Sequence, residues 1–214
     1  MTAPGTAAEL IPERPTITRL RKVAAGCTAC HLHELGTQTV FGAGPVSAKL
    51  MLVGEQPGDR EDREGKPFVG PAGGVLDEAL EAAGIDRKEA YLTNAVKHFK
   101  WKPAGKRRLH QTPRANEIEA CRPWVEAELA AVEPKALVCM GATATRALLG
   151  SKVKVTKDRG SLIESDLAPL VGVTVHPSAI LRVRDAEERN AAREELVADL
   201  AFMAREMDRL TAGT

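Results

Sequence analysis

The sequence contains no apolar run of membrane-spanning length, and residues 1–15 lack the apolar core of a secretory signal. Those two absences argue against a helix-spanning or exported chain, and a cytosolic one is expected. Cysteine is scarce, four in 214 residues, which excludes a disulfide-stapled scaffold and leaves thiols or metal ligands. Net charge is nearly absent as well, +1 at pH 7, so the total selects no partner. No internal repeat is visible. One absence is local: residues 90–116 hold no acid, yet Lys97, Lys100, Lys102, Lys106, Arg107, Arg108 and Arg114 all fall there. The balance reverses over residues 185–209, where eight acids face four arginines.

What is present is enough apolar residue, 43%, to bury the core of one domain. Short apolar runs at 50–53, 91–96, 136–140 and 171–175 end in glycine, proline or polar residues and read as buried strands. Helical patterns separate them, at 16–25, 72–83, 115–132 with a kink at Pro123, and 141–150. A last helix places Leu196, Leu200, Met203, Met207 and Leu210 on one face. Strands alternating with helices predict a three-layer α/β/α domain around a central, mostly parallel four-stranded sheet. The domain is expected over residues 16–210, with a mobile lead at 1–15, a tail at 211–214, and a monomeric state.

Chemistry-bearing residues gather at the predicted strand ends, the edge where open α/β sheets bind ligands. Gly54-Glu55-Gln56-Pro57-Gly58-Asp59 follows the first strand with two carboxylates and an amide. A second rigid turn, 65–71, presents Phe68, either as core or as a surface platform. The second strand delivers Asn94, Lys97 and His98 to the same edge. Beyond it, Phe99, Trp101, Lys106, Arg107, Arg108 and His110 mix cations with aromatics, a combination suited to nucleic-acid phosphates and bases; a solvated loop is the plain alternative. Cys27-Thr28-Ala29-Cys30 is a compact chelating hook. Further ligands are available in His31, His33, His98, Cys121 and Cys139, although Cys139 lies in an apolar strand and reads as core. A centre of three cysteines and one histidine fits zinc or an iron-sulfur cluster.

Taken together, G-E-Q-P-G-D after a strand, K-P-F-V-G-P-A-G, T-N-A-V-K-H, A-C-R-P-W and T-V-H-P-S occur in this order. The set resembles the uracil-DNA glycosylase superfamily, close to its iron-sulfur family 4. The resemblance implies a 4Fe-4S cluster on Cys27, Cys30, His98 and Cys121, with zinc as the alternative. Three departures from family 4 stand out: Gln56 replaces a glycine, His98 stands where a cysteine is usual, and G-K-R-R-L-H is an added loop. All three resemble the UdgX subgroup, whose members become covalently trapped on the DNA they act upon.

The substrate implied is uracil-containing DNA, single- or double-stranded. Uracil is expected to be flipped into a pocket, stacked on Phe68 and read by Asn94. His176, with backbone N–H groups near Gln56, is expected to stabilise charge on O2. Asp59 is the candidate for holding a hydrolytic water. His110 is the implied nucleophile, oriented by Glu55, while Lys97, Lys106, Arg107 and Arg108 are expected on phosphates. Two other classes remain: a conventional hydrolytic glycosylase, in which His110 only binds, and a non-catalytic, metal-stapled DNA-binding or electron-transfer module.

Overall fold

A computed structural model of the chain describes residues 5–212. The chain begins with a 3-10 turn at Ala7–Leu10, helices α1 (Ile17–Ala24) and α2 (Leu32–Leu35), and strand β1 (Leu50–Gly54). Helices α3 (Asp59–Glu64) and α4 (Pro71–Ala82), a 3-10 turn at Arg87–Glu89 and strand β2 (Ala90–Asn94) follow. A hairpin of β3 (Trp101–Ala104) and β4 (Arg107–His110) leads into α5 (Ala115–Val132) and β5 (Ala136–Met140). The chain continues through α6 (Gly141–Leu149), α7 (Val155–Asp158), β6 (Leu170–Thr174), α8 (Pro177–Ile180) and α9 (Ala186–Ala212).

The sheet runs β2-β1-β5-β6 with every neighbouring pair parallel, giving the three-layer α/β architecture expected from the alternation of strands and helices. Its strands are buried on both faces, which is why they read as continuous apolar runs. Met51, Val53, Tyr91, Leu137 and Cys139 point to the layer of α1, α5 and α6. Leu50, Leu52, Leu92, Val138 and Met140 point to the layer of α4, α8 and α9, where Leu196, Leu200 and Met203 meet them. Cys139 is fully buried, as its apolar strand requires.

Local signals set the element ends. Thr16 caps α1 by accepting from the Arg19 N–H at 3.3 Å. Glu117 caps α5 by accepting from the Arg114 N–H at 2.6 Å, and α5 continues through Pro123 as one helix. Ala43 exchanges backbone hydrogen bonds with Leu92, at 2.9 and 2.8 Å, and so covers the otherwise open edge of β2.

The structure differs from expectation in three places. Residues 1–4 of the expected lead and 213–214 of the expected tail lie outside the described residues. Within the described part, Ala7 is fully buried against α5, and Thr211 and Ala212 complete α9. The basic segment expected as a loop is an antiparallel hairpin, pairing Trp101 with His110 and Ala104 with Arg107. Gly105, at φ +59°, takes the left-handed conformation that a two-residue II′ turn requires at its first position. Finally, the acidic loop after β1 coils directly into α3 at Asp59.

From β1 the chain proceeds to β2 on one side of the sheet, and from β5 to β6 on the other. The crevice at the carboxyl ends of β1 and β5 is therefore the topological switch point, where such sheets place ligands.

Candidate functional site

The floor of that crevice is Gly54, the last residue of β1. At the position a Cβ would occupy, Asn94 Oδ1 lies 2.5 Å away, Phe68 Cζ 2.6 Å and His176 Nε2 3.2 Å. A polar amide, an aromatic edge and an imidazole nitrogen thus converge on one point, and only glycine leaves it open.

Each member of this cradle is held from behind. Asn94 ends β2 and is paired in register with Gly54 itself. Phe68 is buried and sits at φ +54°, a conformation that costs a non-glycine residue of order 1–3 kcal/mol. Arg87 pins it by donating from Nη2 to the Phe68 carbonyl at 2.9 Å. Gly73 permits the turn, since a Cβ there would stand 2.0 Å from that carbonyl oxygen. Phe68 is therefore a buried ring facing the crevice, rather than an exposed platform.

His176 caps α8 with its Nδ1, which accepts the Ser178 N–H at 3.2 Å, with Ser178 Oγ at 2.8 Å. The neutral ring then carries its proton on Nε2, a buried atom without a hydrogen-bond partner among the described residues. Burial lowers the His176 pKa to about 4; Glu55 opposes the shift, while His110 and Arg182 add to it. At neutral pH the crevice therefore meets an uncharged N–H donor.

A pKa depressed by folding contributes stability that is present above the unfolded value of 6.5 and lost as pH falls through about 4. Between those limits the wild-type melting temperature should fall more steeply with acid than that of His176→Asn; parallel curves in a thermal-melt series would refute this.

Above the cradle, His110 Nε2 lies 3.2 Å from Glu55 Oε1, and Glu55 Oε2 accepts from Thr143 Oγ1 at 2.5 Å. Burial pushes the Glu55 carboxyl up, but the hydrogen bonds of His110 and Thr143 oppose it, and its pKa is lowered. Glu55 is held as a carboxylate between the two histidines. Thr143, supplied by α6 just after β5, was not singled out from the sequence as a site residue. Its place three residues past a strand end, across the switch point from Glu55, is the signal that would have found it.

The hairpin carrying His110 is rigidly mounted. Gln56 clamps its base: Nε2 donates to the carbonyls of Lys100 and Gln111, both at 3.2 Å, and Oε1 accepts the Lys100 N–H at 3.1 Å. Trp101 Nε1 donates to the Leu35 carbonyl at 2.7 Å. Arg108 pairs with Asp59 and with Asp62 Oδ2 at 2.6 Å, while its guanidinium lies 5.3 Å from the Phe99 ring centre and 5.5 Å from that of Trp101.

Three sequence expectations are corrected by this geometry. Arg108 is turned inward onto two carboxylates and two rings, so it braces the hairpin instead of meeting phosphate. Asp59 is paired with Arg108 and with Arg63 Nε at 3.0 Å; burial raises its carboxyl, but the hydrogen bonds and charges of these two arginines outweigh that and hold it below the usual range, and with an arginine on each oxygen it is a structural partner of the hairpin rather than a free water-holder. The Gln56 side chain is spent on the hairpin, which leaves only its backbone for the expected contact to O2. Lys97 is 0% exposed, with Nζ donating to Glu128 Oε2 at 2.5 Å, Thr93 Oγ1 at 2.7 Å and the Asn94 carbonyl at 2.7 Å. Lys106 and Arg107 remain exposed at the hairpin turn.

Arg108→Ala would leave Asp62, which is wholly buried, without the partner of one oxygen. Removing one member of a buried pair costs about 3 kcal/mol, roughly a 6–12 °C fall in melting temperature for a chain this size. A change under about 2 °C would show that the brace is ornamental.

Cys27, Cys30 and Cys121 are gathered beside the turn that follows β2. Trp124 Nε1 donates to Cys27 Sγ at 3.2 Å, and the Lys97 N–H to Cys121 Sγ at 3.2 Å. Burial raises the Cys30 thiol, with the Leu32 N–H opposing and Cys27 and Glu117 adding. Burial likewise pushes Cys121 up to about 12, Lys97 opposing and Cys30 and Cys27 adding. His98 is lowered to about 4 by burial, and its Nε2 lies 3.0 Å from Thr39 Oγ1. Among the described residues, no three His, Cys, Asp or Glu side chains stand at the spacing of a metal centre. The donor set fits a soft cation in kind: three neighbouring sulfurs, those of Cys27 and Cys30 close enough to raise the Cys121 thiol, and a neutral imidazole on the adjoining turn.

No helix among the described residues is long and apolar enough to cross a membrane. The family model of the Uracil DNA glycosylase superfamily matches residues 41–201, a span that holds the cradle, the Glu55–His110 pair and the whole hairpin. A type-4 uracil-DNA glycosylase of Thermotoga maritima is 38% identical over 84% of this chain and 91% of its own length. A second, from Pyrobaculum aerophilum, is 32% identical over 87% of this chain and 92% of its own length. A third, from Sulfurisphaera tokodaii, is 32% identical over 78% and 76%. With a family match across most of its length and near full-length likeness to these proteins, the chain belongs to the uracil DNA glycosylase superfamily, in the branch of its type-4 members.

Proposed function

We propose that this chain excises uracil from DNA, single- or double-stranded, and is then captured on the abasic sugar through His110, acting as a cytosolic monomer. The observation that carries this reading is the His110–Glu55 pair poised above the cradle of Asn94, Phe68 and His176. Relatives named as type-4 uracil-DNA glycosylases support its first half.

The flipped base would stack against Phe68. Asn94 would donate to O4 and accept from N3–H, a pattern that cytosine mismatches at both positions. As the C1′–N1 bond breaks, its electron pair leaves with the base, and the His176 Nε2–H would stabilise the charge developing on O2, as an oxyanion-hole donor does. The sugar left behind is electron-poor at C1′. One ring nitrogen of His110 donates to Glu55, which leaves the lone pair of the other free to form a C1′–N bond; the displaced ring proton would pass to Glu55. An alkylated imidazole leaves poorly, so each molecule would react once. Lys106 and Arg107 would meet phosphates beside the captured nucleotide.

Cys27, Cys30, His98 and Cys121 would hold the 4Fe-4S cluster, or alternatively zinc, with His98 giving up its contact to Thr39. Bound there, the group would staple the N-terminal hook to α5 and to the turn after β2. Broad visible absorption with stoichiometric iron would identify the cluster, and colourless protein with one zinc the alternative.

Conventional hydrolysis is supported equally by the type-4 relatives. One experiment separates the readings: a labelled uracil-containing single strand, with a thymine strand as control, is incubated with the protein, heated in detergent and run on a denaturing gel. A slow band with uracil alone supports capture. Strand scission after alkali without that band supports hydrolysis, and neither outcome leaves a binding module.

A further inference from the structure

We infer that the buried Lys97–Glu128 ion pair is a positioning device for base discrimination, holding Asn94 in the orientation in which it reads uracil. The inference rests on the proposed reading of uracil by Asn94. Lys97 and Glu128 are both 0% exposed, and Glu128 comes from the last third of α5. Its Oε1 accepts from the Gly42 N–H at 2.8 Å, Tyr91 Oη at 3.0 Å and Thr93 Oγ1 at 3.1 Å. Its Oε2 accepts from Thr93 Oγ1 at 2.9 Å and Lys97 Nζ at 2.5 Å. Lys97 spends its remaining donors on Thr93 Oγ1 and on the carbonyl of Asn94, both at 2.7 Å, and its ammonium lies 5.5 Å from the Phe41 ring centre.

Every member of this network lies on the far side of β2 from the cradle or at its end. A buried ion pair seldom stabilises more than an apolar pair of the same volume, so its distinctive contribution is geometry. Here the geometry fixed is the last peptide of β2. Asn94 has its carbonyl tied backward to Lys97, which orients the residue whose Oδ1 stands 2.5 Å from the Cβ position of Gly54. A change in that peptide would tilt the amide out of the cradle, where small displacements of a reading group are costly.

The test is equilibrium binding to a strand carrying an uncleavable 2′-fluoro-deoxyuridine, against the same strand with cytosine. Lys97→Met, Lys97→Met/Glu128→Gln and Asn94→Ala are compared with wild type below their measured melting temperatures. The double variant removes both charges together, so it stays folded if the unpaired Glu128 of the single variant does not. Expected is a loss of about tenfold or more in the uracil-to-cytosine affinity ratio for both Lys97 variants, the effect of one misplaced hydrogen bond, with cytosine-strand affinity held. An unchanged ratio in the double variant, beside a lowered one in Asn94→Ala, overturns the inference and leaves the reading of uracil by Asn94 standing. An unchanged ratio in Asn94→Ala overturns that reading itself. Equal weakening on both strands makes Lys97 a general support of DNA binding and also overturns the inference.

Discussion

His110→Gly should abolish the heat-stable protein–DNA adduct, to below about 1% of wild type in single-turnover reactions, while uracil release continues. The two outcomes separate because the cradle and the nucleophile sit on different elements. Asn94, Phe68 and His176 come from β2, the turn before α4 and the start of α8; His110 comes from the hairpin. Glycine removes the imidazole from the end of β4, where the hairpin is already clamped by Gln56 and braced by Arg108, so the mounting survives the substitution. With the ring gone, water reaches the electron-poor sugar, and alkali-labile strand should replace adduct. If the adduct persists, another residue is the nucleophile and the Glu55–His110 pair serves binding alone.

Gly54→Ala should lower uracil excision by at least about 100-fold, the effect expected when reacting groups are displaced by about an ångström. Its methyl would meet Asn94 Oδ1 at 2.5 Å and Phe68 Cζ at 2.6 Å, both closer than van der Waals contact allows, so the amide or the ring must move. Overpacking of this kind costs about 1–3 kcal/mol of stability, which a chain with this core should survive folded. Affinity for uracil-free DNA should hold, because the exposed cations Lys106 and Arg107 lie on the distant hairpin turn. Near wild-type excision by the folded variant would show that uracil does not bind above Gly54.

Several of the site residues were legible because the chemistry required and the position in a strand-ending motif coincide. Glu55, Asn94 and His176 lie at or just beyond the carboxyl ends of β1, β2 and β6, and the register of a parallel sheet carries all of them to one edge. The hairpin was harder to read, because Trp101–Ala104 and Arg107–His110 are too polar to show an apolar alternation. Their pairing is fixed by the Gly105 turn and by inward bonds of Gln56, Arg108 and Trp101.

The amino-acid sequence by itself determined the four buried strands, the helices that cover them and the edge to which the polar motifs are delivered, since hydrophobic periodicity and turn residues act over short stretches of chain. Only the tertiary structure decided what the charges do. Lys97 finds Glu128 31 residues away, and Arg108 finds Asp59 and Asp62 49 and 46 residues away. A run of cations without nearby acids looks free in one dimension, but an ion pair depends on distance in space, and folding brought these acids within reach.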